Sequence, residues 1–166
     1  MGCIFLFSGC SAPETNRYPV TQGICFTVTA KTEQQECTAK VSRYPEKTEV
    51  KILSPEKAKD LTLLFTGDSF ETGLDSISGE KRKIVGNDNL FCLLELAFRE
   101  AKGVSLTGDK EKTITVKVEG KPYVFTLSPS GFPLSLKGEN KEFVFSDMTV
   151  ISSDVTPTFS EWPSAP

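Results

Sequence analysis

Histidine is absent from the chain. The absence removes the commonest general base, the commonest metal ligand and every Ser-His or Cys-His nucleophile pair. Only Ser-Lys, carboxylate-pair or Thr-nucleophile chemistry stays formally open. Concentrated positive charge is scarce as well: 19 lysines and arginines are scattered among 22 acidic residues, with the one short run Lys81-Arg82-Lys83. Nothing there can track a phosphate backbone, so nucleic acid is not an expected partner. Metal-ligand spacing is missing, both as CxxC and as an Asp-x-Asp-x-Asp-Gly loop, and no metal or cofactor is expected. The acidic pairs Asp60 with Asp68 and Glu142 with Asp147 read as solvated surface. Thr107-Gly108-Asp109-Lys110 lacks the preceding strand and Gly-rich run of a phosphate loop and reads as a turn. No catalytic residue emerges, and the expectation is a chain that is not an enzyme.

What is present begins at the N-terminus. Gly2 to Gly9 is almost uninterruptedly apolar and ends in small residues before Cys10. Phe7-Ser8-Gly9-Cys10 resembles the end of a bacterial lipoprotein signal peptide, in which the cysteine is lipidated and becomes the mature N-terminus. Phe stands where that pattern prefers Leu. The segment also lacks a basic start and is shorter than the roughly 15 to 30 residues of an export signal, so the true signal is expected to begin further upstream. The alternative is a short apolar arm or buried first strand. Residues 1–9 are thus assigned to a truncated signal peptide and 10–22 to a small, polar tether. Acyl chains of the palmitate type on Cys10 hold a domain at a membrane at about 0.8 kcal/mol per buried CH2. Elsewhere no run of about 20 apolar residues exists to span a bilayer. Cys25, Cys37 and Cys92 then remain, and alternation on one hairpin puts the first two on opposite faces, so no structural disulfide is expected.

At 166 residues the chain accommodates one domain with one core. Gly23 to Lys31 and Gln35 to Arg43 alternate as strands. Setting Phe26 against Val41, Val28 against Ala39 and Ala30 against Cys37 aligns both apolar sets across a turn at Glu33-Gln34. Lys47 to Leu53, Leu61 to Thr66 and Ser69 to Leu74 continue an antiparallel meander, with one helical turn started by Ser54 as its cap and Pro55 at its first helical position. Asn89 to Lys102 has helical spacing, with Asn87 or Asp88 to cap it and Gly103 to end it. Phe91, Cys92 and Leu96 widen its apolar surface well beyond one stripe, leaving Glu95, Arg99 and Glu100 as the wet side. Such a helix requires a concave sheet. Thr113 to Val118, Lys121 to Leu127, Phe132 to Leu136 and Glu142 to Val150 complete that sheet. The Ser-, Thr- and Pro-rich residues 152–166 form a loose tail.

The stretch from Tyr123 to Leu136, an aromatic alternating strand running through Ser128-Pro129-Ser130-Gly131-Phe132-Pro133 into Leu134-Ser135-Leu136, resembles bacterial lipoprotein-carrier-like domains, the superfamily of LolA. Glu142 to Met148 looks like the closing strand of the same group, and the resemblance covers roughly residues 23–151. It implies an α+β fold in which a strongly curved antiparallel sheet, a half-barrel, wraps one main helix. It also implies a candidate binding face, since the concave apolar face takes acyl chains or lipids in some members, but it implies no substrate. Taken with the lipoprotein-like N-terminus, the expected function is lipid binding by a monomer of the bacterial envelope, anchored through Cys10 on the outer side of the cytoplasmic membrane and taking a lipid, lipidated peptide or other hydrophobic ligand. The candidate ligand-facing residues are Phe26, Val28, Val41, Phe91, Leu94, Phe98, Val116, Tyr123 and Phe125. The same residues equally suit a filled core. The alternative function is therefore a structural lipoprotein that meets a protein partner through its surface or a sheet edge.

Overall fold

A computed structural model describes residues 16–17, 23–74, 77–86, 89–102, 105–106 and 112–151, with backbone alone at 16, 17, 105, 106 and 112. The expected signal peptide, its Cys10 and the C-terminal tail lie outside the described residues, as do Asn87, Asp88 and Gly103. The elements in order are β1 (Asn16–Arg17), β2 (Gly23–Lys31), β3 (Glu36–Arg43), β4 (Lys47–Ser54), a 3-10 turn (Glu56–Ala58), β5 (Thr62–Thr66), β6 (Ser69–Leu74), β7 (Ile77–Ser78) and β8 (Arg82–Lys83). Then follow α1 (Leu90–Glu100), β9 (Ser105–Leu106), β10 (Lys112–Val118), β11 (Lys121–Leu127), β12 (Pro133–Gly138) and β13 (Lys141–Ile151). Within the stretch expected to be a tether, β1 pairs with β9. In the 3-10 turn Pro55 occupies the capping place, not the first helical position.

The remaining strands form one antiparallel sheet of 11, in the order β10-β11-β12-β13-β2-β3-β4-β5-β6, with β7 and β8 both on the outer side of β6. The β2–β3 register is the one the apolar pattern dictates: Phe26 opposite Val41, Val28 opposite Ala39, Ala30 opposite Cys37. Along β2 burial alternates without interruption, because one face is core and the other solvent. At the β10–β11 turn Glu119 and Gly120 both adopt positive φ, 51° and 82°, the geometry a two-residue hairpin needs to match strand twist. The two meanders are joined by β13 against β2, from Glu142 opposite Lys31 to Ile151 opposite Gly23.

The sheet is strongly rolled without closing. Lys83 pairs with Ser69 on one edge, β6. Three residues later the Gly86 N–H donates to Glu119 Oε1 at 2.8 Å, beside β10 on the other edge. Three residues of chain reach at most about 11 Å. Eight strand spacings of a flat sheet would separate the same edges by about 38 Å. Register shifts in β3, β11 and β13 supply part of the bend. What results is a mostly antiparallel, open sheet around one helix.

Inside the roll, α1 starts from Asn89, whose Oδ1 accepts from Phe91 N at 2.9 Å and Cys92 N at 2.8 Å. That cap falls one or two residues later than Asn87 or Asp88. Phe91, Cys92, Leu93 and Leu94 are all at most 5% exposed. Four successive helical residues sweep about 300°, so the first half of α1 is covered all round.

Candidate functional site

The concave face is built from alternate residues of the long strands, and Phe98 of α1 lies at its centre. Its ring centroid is 5.8 Å from Phe26 on β2, 5.3 Å from Phe125 on β11 and 5.9 Å from Phe145 on β13. The structure puts all nine candidate ligand-facing residues on this apolar interior: Phe26, Val28, Val41, Phe91, Leu94, Phe98, Val116, Tyr123 and Phe125 belong to one buried cluster. The rings fill the space between helix and strands, so the face is covered by the chain itself.

Among the described residues one charged side chain is buried in this interior. Glu95, expected on the wet side of the helix, is 6% exposed. Its Oε1 accepts from Arg99 Nε at 2.9 Å and lies 3.7 Å from Arg43 of β3. The Arg43 guanidinium also stands 5.1 Å over the Phe98 ring, a cation–π arrangement. Arg99 continues outward, donating to Gly67 O at 2.6 Å and pairing with Asp68 at 3.4 Å. Neither Arg43 Nε nor Glu95 Oε2 has a hydrogen-bond partner among the described residues. Alternation already carried the signal: Arg43 is the next inward position after Cys37, Ala39 and Val41. Glu95 likewise follows Phe91 by four and precedes Phe98 by three, which places it on the apolar stripe.

At the other end of α1 a cleft of about 420 Å3 opens between the β2–β3 turn (32–35), Gly86, the first turn of the helix and the β12–β13 turn. A second hollow flanks the same pair of turns on the side of Lys31, Lys137 and Glu142. Asn140 Nδ2 donates to Glu33 Oε1 at 2.6 Å, fastening one turn to the other. Glu139 accepts from Tyr123 Oη at 3.2 Å and pairs with Lys121 at 2.9 Å. Lys121 is the main cause that holds the Glu139 carboxyl below its usual value. Burial first, and Glu139 second, push the Tyr123 phenol up to about 12. None of the cleft residues is among the nine sequence candidates. Three turns separated along the chain create it, and no local spacing announces such a place.

Cys25 faces Ser42 on the outer side, whereas Cys37 faces Ala30 on the inner side, where burial raises its thiol and keeps it protonated. Of the acidic pairs read as surface, Asp60 pairs with Lys51 at 3.0 Å and Glu142 with Lys137 at 2.8 Å. Among the described residues no three His, Cys, Asp or Glu side chains are placed to hold a metal ion. No helix there is long and apolar enough to cross a membrane.

The fold and the interior define a class: an open, rolled antiparallel sheet enclosing a single helix. A likeness of fold links the chain to an uncharacterized conserved protein from Thermus thermophilus, at a TM-score of 0.52 and 12% identity over 80% of each chain. A LolA superfamily protein from Nitrosomonas europaea aligns with a TM-score of 0.41 and 12% identity, over 82% of this chain and 89% of that one. No protein-family model matches the sequence, and neither does any curated protein.

Proposed function

We propose that this chain is a binding module of the bacterial envelope, anchored through a lipidated Cys10 on the outer side of the cytoplasmic membrane. It takes a lipid, a lipidated peptide or another hydrophobic ligand between the concave sheet and α1. It acts as a monomer without cofactor or catalytic step, and α1 is its displaceable lid. The observation that carries the reading is the ion pair beneath the helix. A helix meant only as core would be seated on apolar contacts throughout. Here Glu95 is buried and the Arg43 side chain is 11% exposed at the helix–sheet boundary, and each leaves one buried polar atom without a partner among the described residues. Such atoms cost about 1–3 kcal/mol apiece, and the closed form is weakened where the lid would lift. Because the rings fill the interior, ligand uptake requires that movement.

Native mass spectrometry on full-length protein extracted from membranes tests the reading. A co-purifying lipid mass is expected, and Cys10→Ala should release the protein from the detergent phase. Bare protein that also fails to take up an added fluorescent lipid would exclude the ligand-binding reading. Arg43→Met combined with Glu95→Met should raise stability, since replacing a buried ion pair by apolar residues often gains about 1–4 kcal/mol. It should slow uptake by holding the lid shut. A second reading has its own support in the four phenyl rings Phe26, Phe98, Phe125 and Phe145, whose close packing suits a permanently filled core. Under it the protein meets a partner through its surface or through the edge strand β10. The double variant then stabilises the fold, and no lipid is found in either form.

A further inference from the structure

The cleft at the start of α1 is separate from the ion cluster near its end, and its chemistry is different. On its helix side the half-buried Leu90 is the exposed part of an apolar pair, above Leu93, which is 2% exposed and belongs to the core cluster. Its rim is polar, with the Gln34 and Gln35 amides, Asn140 and Lys141 around one mouth. Each carboxylate on that rim already has a partner in place, a neutral amide for Glu33 and ammonium groups for Glu139. Glu33 accepts from Asn140, while Glu139 is held by Lys121 and Tyr123, with Lys141 at 4.0 Å. An incoming anion would meet Glu33 and Glu139. An incoming cation would meet Lys141 and Lys121.

The turn that builds the rim is also held under strain. Glu139 and Asn140 are successive residues with φ of 47° and 59°, a left-handed backbone that costs an ordinary side chain energy. The bonds to Lys121, Tyr123 and Glu33 fix it there. Resting on the reading that the interior accepts a hydrophobic ligand, we infer that this cleft seats the head of that ligand, and that the head is an uncharged hydroxyl- or amide-bearing group. The ligand class is then a neutral amphiphile. Its chain passes over Leu90 and Leu93 toward the core, and its head exchanges hydrogen bonds with side-chain amides that both donate and accept.

The test uses the full chain and three soluble probes that share one acyl or alkyl length: monodecanoylglycerol, decanoate and decyltrimethylammonium. Calorimetry should rank the glycerol ester first, on the order of tenfold or more ahead of either ion. The ester should also move the backbone amide resonances of Gln35, Gly86 and Lys141. Gln34→Ala with Gln35→Ala alters exposed side chains only and should erase the preference. Asn140→Gly suits the left-handed backbone and should leave the fold intact. Because it releases the Glu33 carboxylate, it should shift the preference toward decyltrimethylammonium. Equal binding of all three probes, or shifts confined to residues away from the cleft, overturns the inference and leaves the ligand-binding reading standing. Failure of all three to bind overturns both.

Discussion

Tyr123 ties several constraints to one side chain. It is 1% exposed, its hydroxyl donates to Glu139, and its ring lies against the backbone of Gly138. A Cβ at Gly138 would come within 2.5 Å of Tyr123 Cδ1 and 2.6 Å of Pro122 O. A ring can turn aside in a loose site, but the carbonyl is backbone and cannot. Gly138→Ala should therefore destabilise the protein by about 1–3 kcal/mol, read from the urea midpoint. The same tyrosine sets an alkaline limit. Its folded pKa is raised from 10.0 to about 12, mainly by burial. A group with a raised folded pKa contributes stability that is whole below its unfolded pKa and is lost as pH rises through the folded one. Stability should fall between about pH 10 and pH 12, and Tyr123→Phe should flatten that part of the profile. An equal slope in wild type and variant would assign the loss to other groups.

At the scale of elements, α1 depends on Asn89 for its start. Asn89→Ala leaves the Phe91 and Cys92 N–H groups without their acceptor and should cost about 1 kcal/mol in thermal or urea unfolding. The strands and the helix are legible in the sequence because their signals are local. Alternation sets the β2–β3 register, and glycine with its neighbours marks the turns. Two-residue strands such as β7 and β8 carry no period to read, and the apolar pattern passes over them. Glu95 reads as solvent-facing because a charged side chain usually meets water. Its burial depends on Arg43, which arrives from a strand about fifty positions earlier, and pairing of that kind is tertiary information. The candidate site divides in the same way. The interior set follows from periodicity, whereas the cleft is assembled by turns that only the rolled sheet brings together.

The whole molecule depends on one long-range seam. β13 pairs with β2 over residues more than a hundred positions apart, and that pairing joins the N-terminal and C-terminal meanders into a single sheet. Closing so large a loop must precede most of the gain from burial, so refolding should take milliseconds to seconds, as in other folds rich in non-local pairing. The helix makes the seam cooperative. Phe145 of β13 sits 5.4 Å from Phe26, 5.9 Å from Phe98 and 6.4 Å from Phe125, so one ring touches the helix and both meanders. Phe145→Ala should lower stability by about 3–5 kcal/mol, as expected for a buried aromatic whose cavity cannot fully collapse. Far-UV and near-UV circular dichroism should still report coincident transitions, because neither meander buries a core without the other. If the variant instead unfolds in two steps, one meander is stable alone and α1 belongs to it. The lid would then move with that meander, and ligand entry would open the seam and not the helix–sheet boundary.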